Sequence, residues 1–266
     1  MNRHLLFATL LAAMALLTVP AWAGSPVTDG AIPKITATTP VGRTSVSWWM
    51  NRLKAQEVNA QRQYDIVFVG DSITHLWDNR APDIMRECFG DVLNLGISGD
   101  HTEHVLWRVA RIDWKTVNPK KIMVMIGTNN AGHLPSQTPE EIYQGIRAIL
   151  RFLRTSCPQT DIILLPIFPR GINGNDPIRK ITDAVNAKLA PLADDPKVVI
   201  KDLAPLFLMP DGTTLNKKIM PDCLHPVKEG YHRWALAVKP LLCPQESTPA
   251  PARECRPGTK RSTSCK

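Results

Sequence analysis

Asp65-Ile66-Val67-Phe68-Val69-Gly70-Asp71-Ser72 runs four consecutive apolar residues, three of them β-branched, into a glycine, an acid and a hydroxyl. An unbroken apolar run of this length, closed by a turn signal, predicts a strand buried on both faces, as in a parallel sheet. Gly-Asp-Ser then presents a serine hydroxyl at the carboxyl end of that strand. Short β-branched runs recur at Val92 to Leu95, Ile122 to Ile126, Ile162 to Pro166 and Val198 to Ile200. Longer stretches with helical spacing separate them. The chain therefore predicts an α/β fold, a parallel sheet covered by helices on both faces.

Working outward, residues 45–63 carry Val46, Trp49, Met50, Leu53 and Val58 at helical spacing and predict a helix packed on the domain. Asp100-His101-Thr102-Glu103 reads as a helix start with Asp100 as the capping acid. Thr138-Pro139-Glu140-Glu141 is a second start, with proline at the first helical position. A last helix is expected from about Val227 to Leu241, stopped by Pro244.

The termini differ in composition from this core. Residues 1–23 read as a signal peptide: Arg3, an apolar run of 13 residues from Leu5 to Leu17, and Ala21-Trp22-Ala23 as a cleavage site. The run is shorter than the roughly 20 residues a membrane span needs, so a secreted or periplasmic protein without a transmembrane segment is expected. Residues 24–43 read as an extended linker or surface strap, 44–243 as the folded domain, and 244–266 as a basic, disordered tail. All six cysteines follow the expected cleavage point. An oxidising compartment permits disulfides among them, their pairing stays open, and their spacing fits no zinc site.

The formal charge of +8 falls to +7 without Arg3, and the tail holds a net +3 of it. The domain is thus only about +4, without a basic aromatic stripe, which argues against nucleic acid as a partner.

The polar loops after the strands carry the chemistry, because ligands of open parallel sheets sit beyond the strands' carboxyl ends. Ser72 supplies a nucleophile that needs a base. Asp222-Cys223-Leu224-His225, flanked by Pro221 and Pro226, supplies an imidazole with an acid three residues away to orient it. Acyl attack also needs oxyanion donors. Gly99 offers a closely approachable backbone N–H, Asn129 a carboxamide, and Ser72 its own N–H. Asp71 reads as a loop-structuring acid. His101 and His104 lack a zinc register and read as surface or packing residues. His75 and His133 are placed near the pocket. The tryptophans Trp48, Trp49, Trp77 and Trp107 read as core, with Trp77 close enough to the nucleophile loop to touch substrate. A disulfide at Cys223 would rigidify the Asp222–His225 loop.

Taken together, Gly70-Asp71-Ser72-Ile73, Gly99, Asn129 and Asp222…His225 resemble the four blocks of the SGNH (GDSL-type) hydrolase family. Asn94-Leu95-Gly96-Ile97-Ser98-Gly99-Asp100, His104-Val105-Leu106-Trp107-Arg108, Gly127-Thr128-Asn129-Asn130 and Pro169-Arg170-Gly171 resemble the catalytic subunits of platelet-activating factor acetylhydrolase. The resemblance spans about 65–241. It implies a three-layer α/β/α sandwich with a flavodoxin-like five-stranded parallel sheet, and a serine esterase mechanism without metal or cofactor. In it Ser72, Asp222 and His225 are catalytic, and Ser72, Gly99 and Asn129 form the oxyanion hole. The expected reaction is hydrolysis of a short acyl ester, acetyl above all, on a carbohydrate or short-chain lipid. A lipase-type esterase, an O-acetyltransferase acting on a glycan, and a non-catalytic glycan- or surface-binding protein on the same fold stay open as alternatives. So does the oligomeric state.

Overall fold

A computed structural model describes residues 36–133 and 136–243. The expected signal peptide and tail lie outside the described residues, as does most of the expected linker. Helix α1 (Ser47–Asn59) comes first, followed by β1 (Ile66–Gly70), α2 (Ser72–His75), α3 (Trp77–Arg80), α4 (Pro82–Phe89) and β2 (Val92–Gly96). Next come α5 (Thr102–Val109), α6 (Trp114–Val117), β3 (Lys121–Met125), α7 (Thr128–Gly132), α8 (Pro139–Ser156) and β4 (Asp161–Leu164). The chain then adds α9 (Pro177–Asn186), β5 (Val198–Ile200) and α10 (Lys228–Leu242).

The five strands form one sheet in the order β2-β1-β3-β4-β5, every neighbouring pair parallel. This is the flavodoxin-like order, with its switch point between β1 and β3. Alternate residues of each strand feed two cores. Val67, Val69, Leu95, Val124 and Leu164 pack with α5 and α8 on one face. Phe68, Met123, Met125 and Ile163 pack with Ile84 of α4 and Trp234 and Val238 of α10 on the other. The result is the three-layer α/β/α arrangement.

Strands β3 and β4 each begin one residue before their apolar runs. Lys121 and Asp161 are register partners at the sheet's amino edge, and Lys121 Nζ donates to Asp161 at 2.7 Å. A charged pair at a strand's first position satisfies itself and escapes a reading based on apolar runs. Helix α8 starts as read from sequence. Glu141 accepts from the Thr138 N–H while the Thr138 hydroxyl accepts from the Glu141 N–H, and Pro139 sits in the first turn. Its buried residues Ile142, Ile146, Ile149 and Leu153 make one stripe.

One helix start is corrected. The cap of α5 is His101, not Asp100, and His101 and His104 form its reciprocal capping pair. Asp100 is pulled inward, where its carboxylate accepts from Arg108 Nε and from Trp49 Nε1, each at 2.6 Å. For Trp77 the core reading holds and the substrate contact is corrected. It is fully buried, with Phe68, Phe89, Tyr231 and Trp234 around it at centroid distances of 4.6–6.0 Å, so it is core and touches no substrate. The same holds for Trp49, whereas Trp48 is half exposed.

Candidate active site

The site is assembled at the carboxyl ends of β1, β2 and β3. Gly70 closes β1, and a Cβ there would collide with the Thr74 side chain and the Met125 carbonyl; only glycine lets the chain turn so tightly. Asp71 caps α2 by accepting the Ile73 N–H at 3.0 Å, the structuring role read from sequence. Ser72 is therefore the first residue of a helix turn, where a backbone N–H has no intrahelical partner. Two bonds tie this turn and α3 after it to the α10 side: Tyr231 Oη donates to the Ile73 carbonyl at 2.7 Å, and Arg80 of α3 donates to the Pro226 carbonyl at 2.6 Å.

His225 reaches Ser72 from the loop before α10. Its Nε2 lies 2.9 Å from Ser72 Oγ, and its Nδ1 lies 2.7 Å from Asp222 Oδ2. The other Asp222 oxygen accepts the backbone N–H groups of His225 and Leu224 at 2.7 and 3.0 Å. Burial pushes the Asp222 carboxyl up. The backbone and ring N–H of His225, with the Leu224 N–H, outweigh it and hold the carboxyl below its usual range. The anion then favours the tautomer with the proton on Nδ1, leaving Nε2 free to accept from serine.

Among the described residues no disulfide stiffens this loop: Cys223 is unpaired, as are Cys88, Cys157 and Cys243. Backbone geometry does the work instead. Cys223 adopts a positive φ of 58°, its N–H donates to Met220, and its carbonyl accepts from Gly171 at 3.0 Å.

The three donors expected for an oxyanion belong to loops that meet here. Gly99 has φ 76°, and its N–H donates to no protein group among the described residues. Asn129 Nδ2 donates to the Asp100 carbonyl at 2.9 Å; this bond fixes the carboxamide and leaves its second hydrogen available. The Ser72 N–H is the third. Beneath them Arg108 ties the loops together, donating from Nη2 to the Gly70 carbonyl at 2.7 Å and from Nε to Asp100. Burial pushes Asp100 up and Arg108 down, each against its partner's charge. Since a guanidinium keeps its proton in proteins, the pair is ionic.

Asp71 is the other buried acid. Its Oδ2 has no hydrogen-bond partner among the described residues, and burial pushes its carboxyl up to about 7, opposed by the Ile73 N–H. His75 Nδ1 lies 3.0 Å from Ser98 Oγ and joins α2 to the loop after β2. His101 and His133 lie 2.8 Å apart, ring nitrogen to ring nitrogen, with Glu103 on the far side of His101 at 3.0 Å. Among the described residues no group of three His, Cys, Asp or Glu side chains is arranged to hold a metal ion. Sequence reasoning missed the structural weight of Arg108 and the presence of Arg43 beside Gly99, because their partners are loops rather than neighbours in sequence.

Comparison with known proteins agrees with this architecture. The GDSL-like Lipase/Acylhydrolase family model matches residues 68–233. Platelet-activating factor acetylhydrolase IB subunit alpha1 of Homo sapiens is 36% identical over 184 residues, 68% of this chain and 76% of that protein. Subunit alpha2 of Gallus gallus is 39% identical over 183 residues, 68% and 75% of the respective chains. Among solved structures, a putative acylhydrolase from Bacteroides fragilis superposes with a TM-score of 0.62 at 21% identity, covering 73% of this chain and 95% of that one. An acetylxylan esterase from Geobacillus stearothermophilus superposes at 0.56 and 20% identity, covering 68% and 94%. At such identities the structural matches speak to the fold alone.

Proposed function

The chain belongs to the GDSL-like lipase/acylhydrolase family and is a serine ester hydrolase, and from that premise we propose an exported esterase that removes acetyl groups through Ser72, His225 and Asp222. The observation that carries the reading is the continuous chain from Ser72 Oγ through His225 to Asp222, at 2.9 and 2.7 Å, beside an unclaimed Gly99 N–H. Ser72 Oγ attacks the ester carbonyl as His225 Nε2 takes its proton. The negative charge on the former carbonyl oxygen falls to the N–H groups of Ser72 and Gly99 and the carboxamide of Asn129. Loss of one such donor typically costs ~2.7–4 kcal/mol of transition-state stabilisation. His225 then returns the proton to the departing alcohol. Water, deprotonated by the same imidazole, releases the acyl group from Ser72.

Support for acetyl comes from the relatives, which are named acetylhydrolases. Support for export is the 1–23 segment, with its apolar run and Ala-Trp-Ala site. A series of p-nitrophenyl esters from acetate to octanoate, with acetylated xylosides alongside, tests the acyl preference. The acetate ester is expected to have the highest kcat/KM; a maximum at octanoate contradicts the acetyl assignment. Product analysis with an added glycan acceptor separates hydrolysis from acetyl transfer. Amino-terminal sequencing of protein from the culture medium or periplasm is expected to begin at Gly24, and an intact Met1 contradicts cleavage.

A further inference from the structure

Two arginines that the ester chemistry does not use stand beside the oxyanion donors. Arg43 comes from the segment before α1. Its Nη1 donates to the Ser98 carbonyl at 2.9 Å and lies 3.8 Å from Asp100, and a Cβ on Gly99 would sit 2.9 Å from the same nitrogen. Arg170 comes from the loop after β4. Its Nη1 donates to the carbonyl and hydroxyl of Thr128 at 2.8 and 3.1 Å, and its guanidinium lies directly against Gly132. It thus flanks the helix turn that carries Asn129.

The His101–His133 pair lies within electrostatic reach of both. Its rings are 4.9 Å apart. Burial of His133 first, then His101, Arg170 and Arg43 in that order, hold the His133 imidazole below its ordinary range. Both guanidinium charges are therefore felt at one histidine next to the oxyanion loops.

Each arginine engages the protein through Nη1 alone; Nε and Nη2 of both make no hydrogen bond among the described residues. Nor does either have a carboxylate to itself. Asp100, the acid near Arg43, is already bonded to Arg108. No carboxylate lies within ion-pair distance of Arg170 among the described residues. Asp176 and Asp71 act on Arg170 from farther away, and Asp71 is only partly ionised at neutral pH because burial lifts it to about 7. Arg43 is only 25% exposed, and its one carboxylate neighbour among the described residues is Asp100, which Arg108 already engages. A guanidinium's spare parallel donors match a carboxylate or phosphate in bidentate fashion. Trp48, half exposed, lies beneath Arg43 at 5.3 Å from ring centroid to guanidinium carbon and adds an apolar face on which a sugar ring can stack.

We propose that Arg43 and Arg170 form an anion subsite beside the oxyanion donors, which selects O-acetylated saccharides bearing an acid group near the ester. This rests on the esterase reading above and narrows its substrate class to acidic glycans. The acid is a carboxylate or a phosphate, and the two are separated by experiment.

The test compares kcat/KM of the full-length mature protein on acetylated methyl glucuronide, acetylated glucose 6-phosphate and acetylated methyl glucoside, with p-nitrophenyl acetate as a control. The better of the two charged sugars is expected to exceed the neutral one by about 10-fold at low ionic strength, and to lose that advantage as salt screens it. Whichever charged sugar leads identifies the acid. In Arg43→Gln and in Arg170→Gln the charged-to-neutral ratio is expected to fall toward one. Because the ratio is taken within one protein, general damage to the loop cancels. A wild-type ratio near one, or a ratio unchanged in both variants, overturns the subsite. Should a variant fail to fold, the wild-type salt dependence decides, and a salt-independent ratio overturns it too. Wild-type protein inert toward p-nitrophenyl acetate and all three sugars would instead defeat the esterase reading itself.

Discussion

The buried carboxylate of Asp100 and the buried guanidinium of Arg108 meet at 2.6 Å, and through this pair the loop after β2 is fastened to the end of β1. Arg108 also holds the Gly70 carbonyl, two residues before Ser72. The spacing between Ser72 and the Gly99 N–H therefore depends on a side chain that touches neither.

Breaking this pair from one side strands the other charge in the core, which typically costs 3–5 kcal/mol. Arg108→Met is accordingly expected to lower stability by about that amount in chemical denaturation. The double variant Asp100→Leu/Arg108→Met should lose less than the sum of the two single losses. Strict additivity would show that the two side chains are energetically independent.

Asp71 predicts an unusual pH dependence. Its folded pKa of about 7 lies above the ordinary value of 3.8, so the folded state binds the extra proton between these values. The stability this provides is fully present below about pH 4 and is lost as pH rises to about 7, at roughly 1.4 kcal/mol per pH unit. Asp71→Asn removes that dependence. Relative to wild type, the variant should gain stability steadily from pH 4 to 7 in denaturation curves; a constant difference across that range would contradict the assignment.

The proposed triad predicts a graded loss. Ser72→Ala should lower turnover of p-nitrophenyl acetate by up to ~10⁶-fold, and Asp222→Ala by less, on the order of 10⁴-fold. Equal turnover in Asp222→Ala and wild type would mean that His225 is oriented by something else.

Gly96 ends β2 against the backbone of α2 at Thr74 and His75. A methyl group there must displace the helix turn that carries Ser72, and overpacking of this sort costs about 1–3 kcal/mol or more. Gly96→Ala should therefore lower the melting temperature and the turnover together. Gly174→Ala, where a Cβ meets nothing within 4 Å, should change neither. Unaltered turnover in a folded Gly96→Ala protein would uncouple β2 from the nucleophile.

Much of this was legible in the chain. Every strand that is apolar from end to end announced itself, and the loops that follow them were conspicuous for glycine, serine and asparagine. The local, three-residue link of Asp222 to His225 could be read for the same reason. Long-range partners could not. Asp100 looked like a helix cap because an acid stood three residues before a glutamate, but Trp49 lies 51 residues earlier in sequence and wins its carboxylate together with Arg108. Trp77 follows Ser72 closely in sequence yet points into the core, where Tyr231 and Trp234 of α10 enclose it. Arg43 lies in a stretch whose composition resembles a linker, and only the folded loop reveals Gly99 beneath it.

The most direct test is covalent labelling of the folded protein with a fluorophosphonate, followed by peptide mapping. A single adduct on Ser72, its loss in Ser72→Ala, and parallel loss of esterase activity are the predicted result. An adduct on another residue, or a Ser72→Ala protein that hydrolyses acetyl esters at the wild-type rate, would contradict the account.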